Sequence, residues 1–99
     1  MLELEHAIND YVNYLNGELE KNNIANSSFR VDRLNKFYKI IHERYGSSES
    51  VHTFVVHTAH DQWKVGDILK AASWKAPSKN FIRGNVLTKD YGTIQWTGA

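Results

Sequence analysis

A stripe of apolar side chains near the start of the chain sets the strongest limit on its fold. Leu4, Ile8, Tyr11, Val12, Leu15 and Leu19 recur at spacings of three and four residues, which on a helical backbone align along one face. The spacing predicts an amphipathic helix over residues 3–22. Glu3 and Glu5 fall in its first turn, where unpaired amide groups favour negative charge. Asn22 and Asn23 are suited to stop it. Gly17 lies inside the helix, either to permit close packing or merely tolerated, and costs about 1 kcal/mol relative to alanine. The rest of the chain must cover the stripe.

That remainder reads mostly as strand. Residues 25–28 form a loop. Residues 29–45 fit two descriptions: a helix capped by Asp32 and stopped at Gly46, or a strand around Phe37-Tyr38-Lys39-Ile40-Ile41. The following run, Val51 to Thr58, is rich in β-branched and aromatic residues. A short Gly/Ser segment joins it to residues 37–41, so a hairpin is the better reading. Gly66-Asp67 is a turn leading into a short strand or a single helical turn. Ala76 precedes Pro77, which biases residues 74–84 toward irregular or extended backbone. Val86-Leu87-Thr88 and Thr93-Ile94-Gln95-Trp96 flank residues 89–92 as a final hairpin. The predicted fold class is therefore α+β: an N-terminal helix packed on a small, mostly antiparallel sheet of about four to five short strands. One domain spans residues 1–99, with sheet and loops over 29–97.

Charge is distributed unevenly along the chain. Residues 1–23 carry a net charge of −4 and residues 64–89 a net charge of +5, although the whole chain sums to +1. Absence of cysteine excludes disulfides and thiolate metal sites. No apolar run approaches the ~18 residues of a membrane span. The start of the chain lacks the cationic and apolar regions of a secretory signal. A soluble intracellular protein is expected, without membrane contact.

The basic half contains the best candidate for a binding site. Residues 74–85 combine Trp74, Phe81, Lys75, Lys79 and Arg83 with the sole proline, Pro77. Cations interleaved with flat rings suit an anionic, ring-bearing partner. The binding residues expected are Lys70, Trp74, Lys75, Lys79, Phe81, Arg83 and Lys89. Trp74 or Phe81 would stack on a base, while Arg83 would grip an oxygen pair. The competing reading makes Trp74 a core residue and the cations the solvated outside of a loop.

Other chemistry finds less support. His52, His57, His60 and Asp61 lie close together, but the odd separation of His52 and His57 turns them to opposite faces of a strand. No fourth ligand is evident, and no metal or other cofactor is expected. Serines cluster where turn chemistry explains them, and the chain contains neither a Gly-x-Ser-x-Gly elbow nor a phosphate-binding glycine loop. The sequence predicts no enzyme.

In order, Ser50-Val51-His52, Phe54-Val55, Gly66-Asp67, Ala72 to Pro77, Lys79 and Arg83 form a pattern that resembles a group of small uncharacterised proteins of tailed bacteriophages. The resemblance covers roughly residues 34–86 and implies a virus-encoded protein in the cytoplasm of a bacterial host. Two roles follow as expectations. One is a non-enzymatic accessory protein that binds a host protein; the other is a module for nucleic acid or another anionic ligand. The acidic helix and basic half could also pair between copies as a homo-oligomer.

Overall fold

The computed structural model describes residues 2–45, 49–78, 82–92 and 94–97. Helix α1 (Leu2–Lys21) is followed by strands β1 (Ser27–Arg33), β2 (Phe37–Arg44), β3 (Ser50–Val56), β4 (Asp67–Lys70) and β5 (Gly84–Asn85). The strands form one sheet in chain order, and each pairs antiparallel with the next. The arrangement is α+β, as the hydrophobic pattern predicts.

Helix α1 ends where its asparagines stop it. Asn23 adopts φ 57°, a left-handed conformation that asparagine tolerates. The Ile24 amide then bonds back to the Leu19 carbonyl at 2.9 Å, and the Asn23 amide to Glu20 at 3.1 Å. This closing pattern satisfies otherwise unpaired carbonyls. Ile24 packs into the core beside Leu19. From the helix, Asn16 accepts a hydrogen bond from the Phe29 amide at 3.1 Å, tying it to β1.

The sheet buries both faces. Toward α1, Leu4, Ile8, Tyr11, Leu15 and Leu19 meet Phe29, Tyr38, Ile40, Val55 and Ile68. On the opposite face, Phe54, Val56 and Leu69 pack with Trp63, which the β3–β4 connection supplies.

Three sequence expectations need correction. First, β1 begins at Ser27, within the expected loop. Its pairing from Ser27↔Arg44 to Arg33↔Tyr38 outweighs a weak strand signal. Second, Val86 to Lys89 form a turn and not a strand of a final hairpin. The Asn85 side chain accepts the Leu87 amide at 2.8 Å, and Asn85 and Asp90 bridge across the turn. Third, His52 and His57 face the same side of the sheet. Ile40 pairs with Thr53 while Ile41 pairs with Val51, so His52 is the extra residue of a β-bulge. The bulge turns His52 toward α1 together with Thr53. His57, four residues beyond Thr53, lies against the Tyr38 ring of the same layer.

His52 joins a directed hydrogen-bond chain. Its Nε2 lies 2.7 Å from the Gln95 carbonyl, which can only accept, so Nε2 carries the proton. The neutral ring then accepts at Nδ1 from the Thr53 hydroxyl, 3.0 Å away. With its hydrogen committed, Thr53 accepts from the Tyr11 hydroxyl at 2.8 Å. Burial pushes the proton affinity of His52 below the usual histidine value and raises the pKa of Tyr11. Helix, sheet and C-terminal segment are thus linked through three buried side chains. Tyr14 adds a second tie, donating to the Ile94 carbonyl at 2.7 Å.

Two measurements follow. Gly17 is exposed, and a Cβ placed there meets nothing within 4 Å. Gly17→Ala should therefore stabilise the chain by about 0.5–1 kcal/mol in urea unfolding. For His52, the unfolded ring takes up a proton near its ordinary value of 6.5 while the folded ring resists it. Stability present above pH 6.5 should decline as the pH falls below it, until the depressed folded value is passed. His52→Gln should flatten that decline. His42 shifts in the same direction and should leave a residual slope.

Candidate functional site

Trp74 owes its position to the backbone of the β4–β5 connection. Ala71 and Pro77 bridge across its neck, and the Ser78 amide bonds to the Lys70 carbonyl at 2.7 Å. Inside the neck, the Ser73 hydroxyl accepts from the amides of Lys75 and Ala76, both at 3.2 Å. Ala72 and Ser73 both donate to the Ala76 carbonyl, at 3.0 and 3.1 Å. Serine's capacity to bond nearby amides makes this a compact turn, which carries Trp74 on its outer bend.

The indole is 45 % exposed. It folds back over the sheet face opposite α1, where the Lys39 ammonium sits 4.0 Å from the ring centroid. Lys39 itself is only 6 % exposed. Its stem lies in the sheet while its charge rests on the electron-rich ring face, an attraction of about 0.5–2 kcal/mol. One face of Trp74 is therefore occupied by a cation.

Beside Trp74 is a groove of about 320 Å³, lined by Glu49, Ser50, Val51 and residues 71–74. Acidic charge borders it. The Arg30 guanidinium contacts Asp32 at 2.6 Å, Glu49 at 2.7 Å and Glu43 at 3.3 Å. Set against Arg30, Lys39 and Lys75, these three carboxylates make the region mixed in sign.

Among the described residues, the expected basic side chains do not all stand on one side of the sheet. Lys75 shares the turn with Trp74 and is exposed. Lys79 and Phe81 lie outside the described residues. Lys70 alternates with Leu69 and Ala71, which pack on the face opposite α1, so it stands on the α1 side. Arg83 is half-buried where its amide donates to the Ile68 carbonyl at 2.8 Å. Lys89 pairs with Asp10 of the helix at 3.2 Å, a surface contact worth about 0–1 kcal/mol. That pair joins the acidic helix to the basic half within the chain. Chain topology is the reason: the turn at residues 86–89 packs back toward α1.

Lys39 went unrecognised as part of the site. Its alternation with Phe37 and Ile41 in β2 marks a lysine on a buried face, an available signal that its aromatic partner lay too far along the chain to explain.

His57 and His60, like His52, are engaged in hydrogen bonding. His57 meets the Leu34 carbonyl through Nε2 and the Thr58 hydroxyl through Nδ1, each at 2.8 Å. His60 Nδ1 lies 2.6 Å from the Thr58 carbonyl. Among the described residues no cluster of histidine and carboxylate side chains is arranged to hold a metal ion, and no helix is long and apolar enough to cross a membrane.

A family model described as a family of unknown function (DUF7717) matches residues 1–99. No curated protein and no solved structure matches the chain.

The Lys39–Trp74 contact makes a direct spectroscopic prediction. Lysine methylene protons held over an indole face should resonate upfield of their ordinary position. Trp74→Ala should return the Lys39 signals to normal at a stability cost of only about 1 kcal/mol, since half of the ring is already in water. Unshifted Lys39 protons in the unsubstituted chain would contradict the contact.

Proposed function

We propose that this chain, which belongs to the family of unknown function DUF7717 and takes no activity from it, is a non-enzymatic binding protein that grips a protein partner through the Trp74 surface. The observation that carries this reading is a large aromatic ring left half in water while its inner face is braced by a buried ammonium. Tryptophan is enriched among the residues that dominate protein interfaces. A ring held in place loses little freedom on binding. The groove next to it gives a partner side chain a place to enter, and Lys75 supplies a cation on the same turn.

The surrounding charge favours protein over nucleic acid. Asp32, Glu43 and Glu49 stand around Arg30, and Glu49 also lines the groove. Phosphates drawn to Lys75 would meet these carboxylates, whereas a protein surface of mixed sign would complement them. The resemblance to tailed-phage proteins supports a setting in the bacterial cytoplasm, with the chain acting as an accessory protein on a host component.

The test is capture from bacterial lysate on the immobilised chain, with and without nuclease. The reading predicts a protein retained after nuclease treatment and in moderate salt, and lost when Trp74→Ala replaces the original chain. Capture abolished by nuclease would favour the nucleic-acid module. Equal capture by Trp74→Ala would remove Trp74 from the interface.

A further inference from the structure

A second concavity of about 320 Å³ lies where β2, β3 and β4 meet the C-terminal segment. It shares Ser50, Val51 and Ala71 with the Trp74 groove. Its distinguishing walls are His42, His52, Lys70, Trp96 and Thr97. Its chemistry differs from that of the groove. Among the described residues, no side-chain carboxylate lines it and Lys70 makes no ion pair. Ser50 and Thr97 contribute hydroxyl groups that can donate.

His42 is the unusual member. Its ring stacks on Phe29 at 4.7 Å and meets the edge of Trp96 at 6.2 Å. Its Nε2 is buried and has no hydrogen-bond partner among the described residues. A buried polar atom left in that state is costly, and a small turn of the ring that presents it to an oxygen in the cavity would relieve the cost. Arg44 lies near enough to disfavour a proton on His42, which adds positive potential to that of Lys70. His52, by contrast, already uses both ring nitrogens.

We infer that this cavity binds the oxyanion group of a compact molecule, phosphate or carboxylate, with Lys70 neutralising the charge and His42, Ser50 and Thr97 supplying directed hydrogen bonds. Trp96 offers a flat wall for the remainder of the ligand. The volume is at the lower end for small-molecule pockets, which suits a single small anion and not a polymer. This inference stands apart from the protein-binding role assigned to Trp74.

Titration of the full chain with inorganic phosphate, adenosine monophosphate and succinate, at constant ionic strength, tests it by NMR of the His42 imidazole and Trp96 indole. The expected result is saturable movement of both signals with at least one probe. Lys70→Gln should weaken that binding about tenfold or more. Lys75→Gln and Trp74→Ala, on the other turn, should leave it unchanged. The relative affinities of phosphate and succinate identify which oxyanion the site prefers. Absence of saturable movement with all three probes would overturn the inference. So would an unaltered titration in Lys70→Gln, or equal weakening by Lys70→Gln and Lys75→Gln.

Discussion

The rest of the structure depends on the hydrogen-bond chain from Tyr11 through Thr53 and His52 to the Gln95 carbonyl. Apolar burial is non-directional and would hold α1 against the sheet in many neighbouring registers. Buried donors and acceptors are less permissive, because each mismatch leaves a polar group without water or partner at about 1–3 kcal/mol. Only one placement of the helix puts the Tyr11 hydroxyl on Thr53. Only one course of the C-terminal segment brings the Gln95 carbonyl to His52. The bulge in β3 makes the second possible, since a regular strand would turn His52 toward the opposite face.

The same constraint divides the sheet into surfaces with separate uses. One face is committed to α1 and the C-terminal segment, leaving a polar cavity at its margin beside His42 and Lys70. The other carries the Phe54, Val56, Leu69 and Trp63 cluster, with Lys39 and Trp74 at its exposed side. Lys39 illustrates how the two levels connect. A lysine in a mostly buried strand position needs an outlet for its charge, and the indole face provides one. That contact in turn fixes the ring in the orientation it would present to a partner. Stability and recognition are therefore served by one pair of side chains.

Legibility in the sequence followed the range of the interactions involved. Helix α1 could be read because its period of 3.6 residues and its stop signals are local. Strand β3 carries a dense β-branched and aromatic run and was evident, whereas residues 29–45 fit a helix as well and β2 was favoured as a strand only through its hairpin with β3. Strand β1 was partly missed: between Ser27 and Arg33 only Phe29 and Val31 are apolar, and its pairing with β2 supplies the rest. The bulge at His52 has no evident local mark, because the carbonyl that holds the ring comes from Gln95, near the far end of the sequence. Val86 to Lys89 misled for a related reason, as the side chain of Asn85 captured an amide that a hairpin would have used. Of the expected site, Trp74 and Lys75 share one turn, but Lys89 was drawn to Asp10 and Lys70 to the other side of the sheet. Such assignments depend on which strand neighbours which, and charge counted along the chain does not contain that information.

The most direct measurement is the protonation state and tautomer of His52 at neutral pH, from nitrogen-15 NMR of the imidazole ring. The account predicts a neutral ring carrying its proton on Nε2, with slow exchange of that proton with solvent. A proton on Nδ1, a doubly protonated ring or rapid exchange at Nε2 would contradict the hydrogen-bond chain, and with it the placement of helix and C-terminal segment that it explains.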